Sequence, residues 1–128
     1  MIYIDTSVVL SRLFAEDRVP PDAFWDQPMV SSRLLEYETW VRVHARKLAS
    51  SHGEATRALL GRVAFLELQP TLLARALEPF PAPVRTLDAL HLASALFLRE
   101  RDSSLALATY DDCLESAARA VGLPTVRP

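Results

Sequence analysis

The chain has 128 residues, half of them apolar and 23% charged. That balance fits one globular domain over residues 1–128 with a sizeable core, and excludes a disordered chain. The 14 basic and 16 acidic residues give a formal charge of −2, which argues against a protein held to nucleic acid by a bulk positive field but not against an enzyme whose carboxylates are neutralised by metal. A lone cysteine, Cys113, excludes an internal disulfide, and no Cys/His cluster has zinc-ligand spacing. The opening Met1-Ile2-Tyr3-Ile4-Asp5 has no basic n-region, and the longest uncharged apolar stretch, Ala89 to Leu98, is about half a membrane span. The expectation is a soluble, cytoplasmic protein.

Ile2 to Ile4 reads as a short strand ending at Asp5, with Thr6 and Ser7 starting a helix through Leu13. Pro20-Pro21 breaks the chain and Asp22 to Gln27 reads as a short helix. Pro28 to Ser31 reads as a strand. Ser31 or Ser32 then caps a long helix to about Ser50, with Leu34, Tyr37, Val41, His44 and Leu48 at the three-four spacing of a buried face. Gly53 separates it from a helix over about Glu54 to Phe65. Leu66 to Leu68 reads as a strand and Thr71 to Leu77 as a short helix, followed by a stiff loop carrying Pro79, Pro81 and Pro83. Thr86 caps an almost wholly apolar, buried helix from Leu87 to Arg99. Leu105 to Thr109 reads as a central strand, Asp111 to Val121 as a helix closed by Gly122, and Thr125-Val126 as an edge strand. Alternating strands and helices specify an α/β fold, a mainly parallel sheet covered on both faces.

Four carboxylates stand out on this layout. Asp5 ends the first strand, and ligands gather beyond the carboxyl ends of parallel strands; the competing role is a cap of the following helix. Asp111 repeats the pattern after the strand at Leu105 to Ala108, with Asp112 beside it in the first helical turn. Asp88 lies in the first turn of an apolar helix, where a carboxylate needs a partner; either the helix N-terminus or His91, three residues on, answers. His91 itself reads as a core residue. Glu38 borders the apolar face of its helix, whereas Glu36 points further toward solvent. An ion pair with Arg42 is the alternative use of Glu38. Acids this far apart in sequence repel one another if they converge, unless a hard divalent cation such as Mg²⁺ neutralises them. Such a site activates water for displacement at phosphorus. Arg33, Arg42 and Arg46 are candidates for a nucleic-acid backbone, against the plainer role of a solvated helix face. Trp25, Trp40 and Tyr110 are read as core before they are read as base-stacking groups.

The four segments together resemble the PIN-domain ribonucleases of the VapC-like toxin type, over nearly the whole chain. Tyr3-Ile4-Asp5-Thr6-Ser7-Val8 is similar to that family's opening strand and first metal acid. Ser32-Arg33-Leu34-Leu35-Glu36-Tyr37-Glu38 matches its Ser-x-Leu-x-x-x-Glu stretch, which places the second acid on Glu38. Leu87-Asp88-Ala89-Leu90-His91-Leu92-Ala93 resembles the third-acid helix, and Leu107-Ala108-Thr109-Tyr110-Asp111-Asp112 the fourth-acid turn. The resemblance implies a three-layer α/β/α sandwich and an endoribonuclease using one or two Mg²⁺ or Mn²⁺ ions held by Asp5, Glu38, Asp88 and Asp111. It implies support from Thr6, Thr109 or Asp112, and products with a 5′-phosphate and a 3′-hydroxyl. It also implies a homodimer, and a small antitoxin of a type II toxin-antitoxin pair whose arm fills the groove. Cys113 departs from the pattern, standing where many relatives carry an Arg that contacts phosphate or bridges acids. Two other functions compete: a PIN-like module that binds RNA or protein without cutting, and a phosphatase forming an aspartyl-phosphate at Asp5. The commonest phosphatase pattern wants an acid at the position of Ser7.

Overall fold

The computed structural model describes residues 1–128. Its centre is a five-stranded sheet built from β1 (Ile2–Ile4), β2 (Met29–Ser32), β3 (Val63–Leu66), β4 (Ala106–Ala108) and β5 (Thr125–Val126), in the order β3-β2-β1-β4-β5. All four pairings are parallel. The connections carry α1 (Thr6–Leu13), a 3₁₀ turn at Asp22–Asp26, α2 (Leu34–Ala45), α3 (Ala49–Leu60), α4 (Pro70–Leu77), α5 (Thr86–Arg99) and α6 (Asp112–Ala120).

Period-two alternation along the strands sorts the core into two halves. Ile2, Ile4, Met29, Val63 and Ala108 face α1, α2 and α3, where they pack with Val8, Val9, Leu35, Val43, Leu59 and Leu60. Tyr3, Val30 and Leu107 face the other way, toward Leu92 and Ala95 of α5 and Leu114, Ala117 and Ala118 of α6. The result is the three-layer α/β/α sandwich expected from the alternation. No helix is long and apolar enough to cross a membrane.

Several expectations change. The long helix ends at Ala45, not near Ser50, because Lys47 takes a left-handed φ of +56°. The Lys47 amide donates to the His44 carbonyl and the Leu48 amide to the Val43 carbonyl, the paired closure usually built on glycine. Gly53, read as the break, lies inside α3, and β3 starts at Val63, ahead of the strand expected at Leu66 to Leu68. The buried face of α2 is also different. Leu34, Leu35, Thr39 and Val43 are inside, whereas Tyr37 is 66% exposed and Val41 45%. Leu34 aside, the two stripes lie on nearly opposite sides of the helix, and the polar Thr39 weakened the correct one. Finally, α5 is buried only in its middle, His91 to Ala95; its first turn is open to solvent.

Strand order reverses at β1. The chain moves from β1 outward through β2 to β3, then crosses back to β4 on the other side of β1. A crevice opens at such a switch point, beyond the carboxyl ends of the strands. The Asp5 amide donates to the Ala108 carbonyl (3.3 Å), locking the two strand ends side by side there.

Replacing Lys47 by glycine removes the steric cost of the left-handed conformation. It is expected to raise unfolding stability by about 1 kcal/mol in urea titration; an unchanged or lowered midpoint would show that α2 does not close at this residue.

Candidate active site

Asp5, Glu38, Asp88 and Asp111 all line one cavity of about 580 Å³ at this crevice. Asp5 arrives on the end of β1, Asp111 on the loop after β4, Glu38 from the second turn of α2 and Asp88 from the first turn of α5.

Asp5 is 4% exposed. It precedes α1 but makes no side-chain cap to it, so the helix-cap role does not hold. Its hydrogen-bond donor is Ser7 Oγ (2.6 Å), which in turn accepts the Tyr110 amide (3.0 Å) and ties the β1 and β4 loops together. Burial pushes the Asp5 carboxyl up to about 6, with the charge of Asp111 adding to the rise and His91, Ser7 and Thr109 opposing it. No arginine or lysine pairs with it.

Glu38 accepts Thr6 Oγ1 (2.8 Å) and is bonded to His91 Nε2 (2.6 Å). Burial acts to raise its pKa, but the hydrogen bonds from His91 and Thr6 and the charges of His91 and Arg42 outweigh it and hold the carboxyl below its ordinary range. His91, 2% exposed, is therefore more than core filling. Its Nδ1 lies 2.7 Å from the buried Tyr3 hydroxyl, whose oxygen also accepts the Ser32 amide (3.1 Å). The two ring nitrogens of His91 thus bridge the Tyr3 hydroxyl and the Glu38 carboxylate. His91, one of the two partners considered for Asp88, does not bond it; Arg85 does.

Asp88 and Asp111 share one guanidinium: Arg85 Nε donates to Asp88 Oδ2 (3.0 Å) and the same side chain pairs with Asp111 Oδ2. The other Asp111 oxygen caps α6 through the Cys113 and Leu114 amides (2.9 and 3.1 Å). Asp111 is thus both a helix cap and a cavity acid. Burial raises the Asp88 carboxyl, with Arg85 opposing and Asp111 adding to the rise. Arg85 supplies the bridge between acids that Cys113 does not.

Among the supporting candidates, Thr6 holds Glu38, and Thr109 Oγ1 accepts the Asp111 amide (2.9 Å) and lies 3.5 Å from Ser7 Oγ. Asp112 does not line the cavity; it is exposed and paired with Arg127, because it lies on the outer side of the first turn of α6. Glu36 pairs with Arg33, which also binds Glu67 and sits over Phe65. Arg46 covers Phe14. Of the three arginines considered for the backbone, Arg42 alone reaches the cavity. Sequence reasoning missed Ser7, Arg85 and the role of His91. Their signal was local: Arg85 and His91 stand three residues before and after Asp88.

The cavity acids do not form a closed cage. No group of three His, Cys, Asp or Glu side chains is gathered for an ion, because Glu38 turns to Thr6 and His91 while Arg85 holds Asp88 and Asp111. The donor chemistry nonetheless fits a hard divalent cation. All four candidates offer carboxylate oxygens, and the buried Asp5 has no cation to offset its charge.

A family model described as PIN domain matches residues 2–120. The chain is 33% identical to Ribonuclease VapC47 of Mycobacterium tuberculosis (strain CDC 1551 / Oshkosh), covering 100% of this chain and 97% of that protein. It is 32% identical to Ribonuclease VapC35 of the same strain, with the same coverage. Among solved structures, that of Mycobacterium tuberculosis VapC20, described as a sarcin-ricin loop cleaving toxin, superposes with a TM-score of 0.60 at 18% identity, with full coverage of both chains. That last likeness speaks for the fold.

A raised carboxyl pKa in the fold means that the ionised form destabilises it. The penalty is absent below the unfolded value near 3.8 and complete above about 6. Asp5→Asn is therefore expected to stabilise the ion-free protein at pH 7 by at most about 3 kcal/mol, with the gain fading as pH falls from 6 toward 4. Thermal melts in EDTA across that range check it; a variant destabilised at pH 7 would contradict the assignment.

Proposed function

The chain belongs to the PIN-domain family and is a VapC-like member of it, and on that premise we propose that it is a divalent-metal-dependent endoribonuclease, the toxin of a toxin-antitoxin pair. The observation that carries this reading is the meeting of four acids from four distant segments in one cavity at the switch point of the sheet. Membership alone would not argue for activity; a PIN-like module that only binds would not need to maintain four carboxylates against their mutual repulsion. Ribonuclease is also the activity in the names of the relatives.

Asp5, Glu38, Asp88 and Asp111 are the proposed ligands for one or two Mg²⁺ or Mn²⁺ ions. When bound, a divalent ion lowers the pKa of its water and offsets charge developing on the phosphate. The protein's part is positional. Ser7 orients Asp5, and Thr6 and His91 orient Glu38, as residues behind metal ligands do. His91 has both ring nitrogens engaged and is a positioning residue, not a base. Thr109 braces the loop that carries Asp111. Arg85 must release Asp88 and Asp111 before they can bind an ion, which frees its guanidinium for a substrate phosphate. The same reading takes residues 1–128 as a single PIN-like domain that acts in the cytoplasm as a homodimer and is silenced by a small antitoxin covering the acidic groove.

Incubation with structured RNA and Mg²⁺ tests the activity. Cleavage should vanish in EDTA, and Asp5→Asn and Asp88→Asn should each lower it by at least about 100-fold, beyond the 10–100-fold typical of losing a residue behind a ligand. Undiminished cleavage by either purified variant strikes that residue from the set. Trapping of a phosphoryl group on Asp5 would revive the phosphatase function.

A further inference from the structure

The proposed ribonuclease reading leaves one feature of the cavity unused, its apolar rim. Of the eight large hydrophobic side chains exposed on the protein, three line this cavity: Tyr37, Val41 and Leu87. Each flanks a charged group. Tyr37 directly precedes Glu38 on α2, and Leu87 directly precedes Asp88 on α5. Tyr37 and Val41 are four residues apart and so share one face of α2, while Glu38 and Arg42 form the neighbouring row on the same helix. Tyr37 donates no hydrogen bond, pairs with no other ring and carries no guanidinium over its face, unlike Phe14, Trp25, Trp40, Phe65, Phe80, Phe97 and Tyr110. Arg42 also enters no ion pair, and it lines both this cavity and a second groove of about 400 Å³ that continues past Ser7 and Asp111 to Arg18 and Tyr110.

We infer that Tyr37 is a base-binding residue. Its ring, with Val41 and Leu87, receives an unpaired nucleobase next to the phosphate held over the acids, and Arg42 contacts the adjoining phosphate. The inference rests on the ribonuclease reading and adds the residues that hold the substrate beside the cleaved step: Tyr37 against a base lying out of its stack, and Arg42 against the next phosphate. A free, flat aromatic face suits any base. An unpartnered guanidinium beside it places positive charge for a second phosphate next to that ring, on a chain whose net charge is −2. In a duplex the bases are stacked on each other and have no face to offer Tyr37.

The test measures binding of a short random-sequence RNA carrying 2-aminopurine, in Ca²⁺ under conditions where no product forms, beside an RNA duplex of the same length. Wild-type protein should prefer the single strand and quench the 2-aminopurine. Tyr37→Ala should bind the single strand about tenfold more weakly, the loss expected for one base stack, without the quench and with an unchanged melting temperature. Tyr37→Phe should recover most of both. Arg42→Gln should lower the salt dependence of binding by about one phosphate contact. Wild-type affinity in Tyr37→Ala overturns the inference. So does equal loss in Tyr37→Phe, or loss of only a co-purifying protein partner from Tyr37→Ala, which would make the rim a protein-docking face. Cleavage in Mg²⁺ separates the two readings. A wild type that cleaves while Tyr37→Ala binds normally removes only the stacking role. A wild type that never cleaves but binds through Tyr37 removes only the nuclease.

Discussion

The crowding of negative charge at the end of β1 is the constraint around which this molecule is arranged. Asp5 is buried, Glu38 and Asp88 are largely so, and Asp111 faces the same cavity. Carboxylates lose much of their hydration in such a place and repel one another. The chain answers each with a donor of its own: Ser7 for Asp5, Thr6 and His91 for Glu38, and Arg85 for Asp88 and Asp111. These partners are unequal. Arg85 neutralises the charge it touches, whereas a hydroxyl only solvates it, so Asp5 keeps the largest deficit and its carboxyl is driven toward the neutral form.

The supports are themselves products of the core. Tyr3 points to the α5 side of the sheet because Ile2 and Ile4 point to the other. From there its hydroxyl reaches His91, and His91 reaches through to Glu38 on α2. One buried chain of hydrogen bonds thus links a central strand to helices on opposite faces. A half-satisfied network of this kind is costly in low dielectric, so its completeness from the Ser32 amide to the Thr6 hydroxyl constrains where Glu38 sits. The positions of the acids are a consequence of sheet packing as much as of local loop geometry.

The rim and the floor of the cavity have opposite characters. Acids form the floor, and Tyr37, Val41 and Leu87 stand around it in solvent. A cavity with few convergent polar groups and apolar walls is the usual form of a ligand site. Here the apolar part lies outside the charged part, as suits a ligand with an anionic backbone and flat, apolar-faced bases.

Strand and helix alternation, the parallel sheet and the four acids were all legible in the residues, since period-two and three-four patterning report which side of an element is buried without knowledge of its neighbours. The closure of α2 was not, because Lys47 adopts a conformation that glycine would have advertised. Nor was the face of α2, where two stripes fitted the same period and only the packing of Leu35 and Val43 against β1 and α1 chose between them. His91 looked like a core residue and is one, but its partners lie 53 and 88 positions away. Composition and spacing therefore determined the fold class and which carboxylates were candidates. The tertiary structure decided that the four share a cavity, that Asp112 does not join them, and that Arg85 and His91 serve them. Hydrogen bonds and charge act through distances of a few ångströms, and only the folded chain sets those.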